Sequence, residues 1–133
     1  ILADRWTMRP AVAIGLLTQA MMMVFLGLLP NGIYIGIVFI IVAFHGLGAG
    51  FSLASLHKAA MGNTTKEQSA SAAGLYSMIR FAGVLFGTAL GGVILQTGFD
   101  RGLPVLKAYQ VSFFVFAGVA LIGVILSLGM KKR

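Results

Sequence analysis

Among the polar side chains within the long apolar stretches of the chain, three are of types that could bind a substrate or transfer a proton: Gln19, His45 and Arg80. The imidazole of His45 can exchange a proton near neutral pH, which suits a proton relay. The fixed charge of Arg80 could contact a partner helix or a substrate. The amide of Gln19 could bond to a neighbouring helix. We therefore treat all three as candidates for a substrate or proton path.

The rest of the chain contains no catalytic constellation. There is no cysteine, so disulfides, thiolate metal sites and cysteine nucleophiles are excluded. None of the three acidic residues lies inside an apolar stretch, so an acidic partner for His45 would have to come from outside these residues. We predict no enzyme activity, no metal site and no cofactor.

The composition indicates which elements must position these side chains. Hydrophobic residues make up 59% of the 133 residues and charged residues only 10%, whereas about a quarter of a soluble domain is charged. The chain is therefore predicted to lie in a lipid bilayer. Its net charge of +7 would suggest nucleic acid in a soluble protein. Because the basic residues flank the apolar stretches, we predict no nucleic-acid partner.

Four apolar segments follow one another, and each is long enough to cross the roughly 30 Å hydrocarbon core as a helix. They cover residues 11–29, 33–56, 70–97 and 111–130. A tight turn is expected at 30–32, and polar loops are expected at 57–69 and 98–110. The predicted fold is an all-α, polytopic bundle of four transmembrane helices.

Basic residues flank the four spans unequally. One side of the membrane has only Arg101 and Lys107, and the other collects seven residues: Arg5, Arg9, Lys58, Lys66, Lys131, Lys132 and Arg133. Because cytoplasmic loops retain positive charge, both termini should be cytoplasmic. The expected location is a plasma or inner membrane, crossed several times.

The spans set the depth of the polar side chains. His45 lies 12 residues from Ile33 and 11 from Leu56, near the midplane, where a structural histidine bonded to a neighbouring helix is the alternative to a proton relay. Residues 64–67, Thr-Thr-Lys-Glu, have the form of a capping box that would start the third helix below the membrane. Arg80 would then lie about 24 Å from Gln96, at the cytoplasmic edge, where it could be an interfacial anchor.

Glycines recur at helical spacing in two spans. Gly83, Gly87 and Gly91 lie along one face of the third span, and Gly46 and Gly50 have the same four-residue spacing in the second span. Such spacing lets another backbone approach closely. Because it is common in polytopic proteins, it indicates helix packing rather than a particular function.

The most specific pattern precedes the first span. Residues 1–10 read ILADRWTMRP and resemble the cytoplasmic loop signature of the major facilitator superfamily, Gly-x-Leu-Ala-Asp-Arg-x-Gly-Arg-Arg. The matching residues are Leu2, Ala3, Asp4, Arg5 and Arg9. Thr7 and Met8 depart from the pattern, and the first glycine would precede Ile1.

Members of that superfamily carry this loop twice, so the spans could be three to six or nine to twelve. Val42 stands where the fourth span of the family usually has an arginine, and Thr88 replaces the proline of the antiporter signature of the fifth span. Both departures favour the C-terminal repeat, and the basic residues 131–133 resemble a natural end. The chain is therefore similar to spans nine to twelve over essentially its whole length.

The resemblance implies a secondary active transporter that moves a small solute or drug by alternating access, with proton coupling and efflux by antiport as expectations. The expected partners are the bilayer, the remaining transporter helices and an unidentified small molecule. Two other classes stay open. A self-contained small four-span transporter matches the length, although that type relies on a glutamate that residues 11–29 lack. A non-transporting membrane subunit is compatible with every glycine.

Overall fold

The computed structural model describes residues 8–62 and 64–129. This part of the chain forms four helices and no strand: α1 (Met8–Leu28), α2 (Ile35–Met61), α3 (Lys66–Asp100) and α4 (Val105–Leu128). All four are long and apolar enough to cross a membrane. The predicted all-α bundle of four spans is confirmed.

The helices continue beyond the apolar segments that predicted them. Most of each polar loop expected at 57–69 and 98–110 is helical, because α2 ends at Met61, α3 occupies 66–100 and α4 begins at Val105. Hydropathy detects only the part of a helix that matches the hydrocarbon core, whereas backbone hydrogen bonding continues into the polar interface. The remaining connections are short, and two of them turn through Gly32 and Gly102, whose φ values of +82° and +72° favour glycine.

The capping box predicted for residues 64–67 is wrong, because the N-cap of α3 lies one residue later than predicted. Thr65 is the N-cap residue, and its side chain makes no capping bond. The hydroxyl of Thr64 instead donates to the carbonyl of Met61 at 2.9 Å, at the end of α2. With the cap at Thr65, Glu67 no longer stands three residues after it, which is the spacing that the box requires.

Helix α1 lies between α2 and α4 and packs along both of them. Two glycines of α1 and α4 face large side chains across their interface, since a Cβ on Gly27 would lie 3.0 Å from the ring of Phe114, and one on Gly123 would lie 3.3 Å from Leu16. The amide of Gln110 donates to the carbonyl of Leu29 at 3.0 Å, which ties the end of α1 to α4. These three helices therefore form the packed part of the bundle.

Helix α3 is the least packed of the four. We call the end of the bundle where α2 passes into α3 the basic end, since Lys58 and Lys66 lie there. At the basic end α3 touches α2 through Tyr76, and towards the opposite end it touches α4 through Gly98, where a Cβ would lie 3.1 Å from Ala108. Most of its apolar side chains between these contacts are exposed, and Phe86 is 80% exposed. Helix α3 thus crosses from α2 to α4 and packs along neither.

The interior consists of small residues. The buried positions include Ala11, Val12, Ala20, Ser52, Ser55, Ala108, Ser112, Ala117 and Ser127. In a bilayer, lipid solvates large apolar side chains as well as protein does, so helices associate where small residues let their backbones approach. This composition of the interior is that of a membrane bundle.

Candidate functional site

Among the described glycines, Gly15 of α1 and Gly48 of α2 make the closest approach between two helices. A Cβ on Gly15 would lie 2.7 Å from the backbone nitrogen of Ser52 and 2.8 Å from the carbonyl oxygen of Gly48. A Cβ on Gly48 would lie 2.9 Å from the carbonyl oxygen of Gly15. Because these neighbours are backbone atoms, no side-chain rotation could make room. The α1–α2 contact therefore depends on glycine at both positions.

A hydrogen bond between helices lies beside this contact. The amide nitrogen of Gln19 donates to the hydroxyl of Ser52 at 3.0 Å and also approaches the carbonyl of Gly15 at 3.4 Å. The Ser52 hydroxyl in turn donates to the carbonyl of Ala49 at 3.0 Å. Gln19 thus makes the hydrogen bond to a neighbouring helix that the sequence predicted. Because its amide nitrogen is hydrogen-bonded to Ser52, Gln19 helps to set the register of α1 against α2. A role for Gln19 in a substrate or proton path stays a prediction.

His45 lies on the same face of α2 as these contacts, three residues before the helix midpoint at Gly48. It precedes Gly48 by three residues and Ser52 by seven, so all three share one face of the helix. It follows Ile35, the first residue of α2, by ten residues, or about 15 Å, which is half the thickness of a hydrocarbon core. Its side chain is half-buried, and its Nδ1 atom is buried with no hydrogen-bond partner among the described residues.

Such an atom is costly, because a buried nitrogen without a partner loses its hydration and gains nothing in return. Because the ring as a whole is only half-buried, a group from outside the four helices could bind its exposed part, whereas Nδ1 itself is enclosed by the described helices. That group could be a polar side chain, a water molecule or a solute.

Arg80 lies on α3, on a different face of the bundle. It precedes Asp100 by 20 residues, or about 30 Å along the axis, so it falls one hydrocarbon thickness from the far end of the helix. It is exposed, and its guanidinium carbon lies 5.5 Å from the centre of the neighbouring Phe81 ring. Both the interfacial anchor and the contact with a partner or substrate stay open for this residue.

The glycines of the predicted ladder have different surroundings. A Cβ on Gly91 would meet the ring of Phe116 in α4 at 3.3 Å. At Gly46, Gly50, Gly83 and Gly87 a Cβ would meet no described atom within 4 Å. These four glycines therefore make no close contact between the described helices, and their role in helix packing stays a prediction.

The loop signature lies mostly outside the described residues. Asp4 and Arg5 lie outside the described residues, and Arg9 lies in the first turn of α1. The resemblance of this loop to the family signature is a resemblance of sequence.

Grooves lined almost entirely by apolar side chains flank α1. One, of about 290 Å³, lies between α1 and α2 and includes Thr18, Phe44 and Phe51. A second, of about 190 Å³, lies between α1 and α4 and includes Met21, Phe25 and Leu121. A third, of about 320 Å³, adjoins α1, α2 and α4, and its lining includes Leu16, Leu56 and Leu126. None of these three grooves includes Gln19, His45 or Arg80. The described helices thus place Gln19 and His45 on one interface and Arg80 on another, without a shared pocket.

Four apolar helices with small residues at their contacts and a few polar side chains within the spans define a polytopic membrane protein. A family model described as Major Facilitator Superfamily matches residues 1–132. The chain therefore belongs to the major facilitator superfamily, a superfamily of membrane transporters, as the loop signature in residues 1–10 predicted. Comparison with curated proteins and with solved structures gives no significant match.

Proposed function

We propose that these four helices are spans nine to twelve of a secondary active transporter that exports a small solute or drug in exchange for protons by alternating access. The family match supports the transporter class. The observation that carries proton coupling is the Nδ1 atom of His45, which is buried near the middle of α2 without a described partner. A membrane-embedded ionisable side chain with no structural bond is suited to carry a proton or to bind a polar solute.

The residues of the α1–α2 interface have different roles in the proposed transporter. Gly15, Gly48 and the Gln19–Ser52 bond hold α1 against α2. That rigid pair positions His45, because its imidazole lies on the helix face that α1 contacts. The remaining helices of the transporter would complete the pathway around it, with the solute bound near the midplane.

The direct test is transport by the intact protein in proteoliposomes with an imposed pH gradient. Pools of candidate solutes are scanned, and we expect a saturable flux of one solute class that collapses when a protonophore removes the gradient. Flux that persists unchanged without the gradient would reject proton coupling. A folded protein that moves no solute in any pool would favour a non-transporting membrane subunit.

The 133-residue chain reconstituted alone is the control for that test. It should give no saturable flux, because one incomplete half cannot enclose a midplane site. Flux from this chain alone would support a self-contained transporter instead.

We further propose that the basic end faces the cytoplasm in a cell membrane, on the ratio of seven basic residues to two. Thr65→Cys at the basic end and Asn31→Cys at the opposite end test this, since both residues are exposed and the chain contains no other cysteine. In intact cells an impermeant thiol reagent should label Asn31→Cys alone. Labelling of Thr65→Cys from outside would invert the orientation.

A further inference from the structure

Arg80 lies one helical turn from the contact that joins α3 to α2 at the basic end. The rings of His57 and Tyr76 form that contact, with 5.2 Å between their centroids and an angle of 72° between their planes. Tyr76 and Arg80 are four residues apart, so they share a face of α3, and Arg80 lies about 6 Å further from the basic end. We call the region around these three residues the α2–α3 junction.

Both helices place the α2–α3 junction at the level of the lipid headgroups. His57 follows Ile35, the first residue of α2, by 22 residues, or about 33 Å. Arg80 precedes Asp100, the last residue of α3, by 20 residues, or about 30 Å. The hydrocarbon core is about 30 Å thick, so the two helices agree on the level. Tyrosine is enriched there, because its ring can meet the apolar core while its hydroxyl meets water.

The charge of Arg80 has no protein partner among the described residues. Arg80 is exposed and makes no hydrogen bond or ion pair with them, and its guanidinium carbon lies 5.5 Å from the centre of the Phe81 ring. The described residues include only two carboxylates, those of Glu67 and Asp100. Along α3 these lie about 20 Å and 30 Å from Arg80. The guanidinium can therefore bind an anion that the described helices do not supply.

Further positive charge lies near the α2–α3 junction. Lys58 follows His57 in the last turn of α2, and Lys66 is the first residue of α3. Helix α2 contains no acidic residue, and Glu67 is the one acidic residue in the first turn of α3. Basic sites between transmembrane helices bind anionic lipid headgroups. The guanidinium of Arg80 is suited to this, because its planar set of donors can bind two oxygens of one phosphate.

We propose that the α2–α3 junction binds an anionic phospholipid, with the lipid phosphate held by the guanidinium of Arg80. The acyl chains would lie against α3 further into the core, where Val84, one turn beyond Arg80 on the same face, is 56% exposed. The lipid would occupy space that α3 leaves open by packing along neither α2 nor α4. This inference does not rest on the proposed transport, since lipid binding is measured without a transported solute.

Lipid binding to the intact transporter tests the proposal. The purified protein in detergent is titrated with phosphatidylglycerol or with phosphatidylcholine of the same chain length, and native mass spectrometry counts the bound lipids. We expect saturable binding of phosphatidylglycerol that is at least about tenfold tighter than binding of phosphatidylcholine, because several basic residues attract the anionic headgroup. Equal binding of the two lipids would overturn the proposal.

Substitutions of Arg80 locate the site. Arg80→Gln should weaken the binding of one phosphatidylglycerol by about tenfold or more, because hydrogen bonds from a charged donor are lost. Arg80→Lys keeps the charge without the planar set of donors, so it should weaken binding by less. The matched control is Arg101→Gln, which removes an exposed arginine at the opposite end of the bundle and should bind as the parent does. Equal losses in Arg80→Gln and Arg101→Gln would show only a general effect of charge and would overturn the proposal.

A carboxylate on one of the remaining transporter helices is the alternative partner for Arg80. In that case the unfolding temperature of Arg80→Gln should fall with or without phosphatidylglycerol, and lipid binding should not change. If the lipid is the partner, phosphatidylglycerol should stabilise the parent protein and raise the unfolding temperature of Arg80→Gln by no more than about half as much. If Arg80→Gln yields no folded protein, Arg80→Lys is measured in the same way. Unchanged lipid binding in folded Arg80 variants would overturn the proposal, whereas failure to find a transported solute would count against the proposed function alone.

Discussion

The largest loss of stability should follow substitution of Gly15. In Gly15→Ala the new methyl carbon would lie 2.7 Å from the backbone nitrogen of Ser52 and 2.8 Å from the carbonyl oxygen of Gly48, so α1 and α2 must separate along their contact. Overpacking of this kind lowers the free energy of unfolding by about 1–3 kcal/mol. Gly15→Leu should leave little folded protein, because several more atoms need the same space. The measurements are the thermal unfolding midpoint in detergent and the yield of monodisperse protein.

The matched control is Gly118→Ala in α4, where a Cβ would meet no described atom within 4 Å. Alanine is the better helix former, by up to about 1 kcal/mol relative to glycine, so this variant should be as stable as the parent or slightly more so. Equal losses at Gly15 and Gly118 would mean that glycine matters here through the backbone alone. In that case the close α1–α2 contact would not explain why Gly15 is required.

The sequence predicted the class of fold because that inference needs only local composition. A window of about 20 apolar residues has one stable structure in a bilayer, in which every backbone group is satisfied within the helix. The ends of the helices were predicted less well, since α3 begins at Lys66 and ends at Asp100 in residues that hydropathy assigns to loops. Interfacial residues are polar enough to resemble loops and still hydrogen-bond as helix.

The packing glycines illustrate what local patterns leave open. The regular spacing of Gly46 and Gly50 and of Gly83, Gly87 and Gly91 predicted close helix contacts. Of these five glycines only Gly91 meets another described helix, and the closest approach at a described glycine is that of Gly15 and Gly48. Every glycine stripe permits a close approach, and only the pairing of two stripes decides which approach occurs. That pairing depends on residues 33 positions apart, as in the bond from Gln19 to Ser52, and periodicity within one helix carries no information about it.

The depth of His45 was accessible from sequence, and its lack of a partner was not. Counting from the first residue of α2 places it about 15 Å into the span, near the midplane, as counting within the apolar segment 33–56 predicts. Whether an imidazole there is bonded to a neighbouring helix depends on the packing of that neighbour. In the described helices Gln19 bonds to Ser52, while Nδ1 of His45 bonds to no described group. Gln19 therefore bonds across the α1–α2 interface, whereas His45 makes no hydrogen bond to the described residues.

His45→Ala in the intact transporter should lower transport by about ten- to a hundredfold while leaving the folded amount and the unfolding temperature unchanged. Loss of a group that transfers protons commonly costs that much or more. The fold should tolerate the change because Nδ1 makes no hydrogen bond to the described residues, so truncation breaks none. The residual flux should also lose its response to the imposed pH gradient.

The conservative variant His45→Gln separates this role from packing. Glutamine can donate and accept hydrogen bonds but cannot carry a proton near neutral pH, so it should fold normally and remain as defective in proton-coupled transport as alanine. If His45 instead bonds to a helix outside the described residues, stability and transport should fall together in His45→Ala, and glutamine should restore both. Full transport with an unaltered pH response in His45→Ala would exclude both roles. An imidazole that neither transfers protons nor bonds to another helix could be replaced without loss of transport or stability.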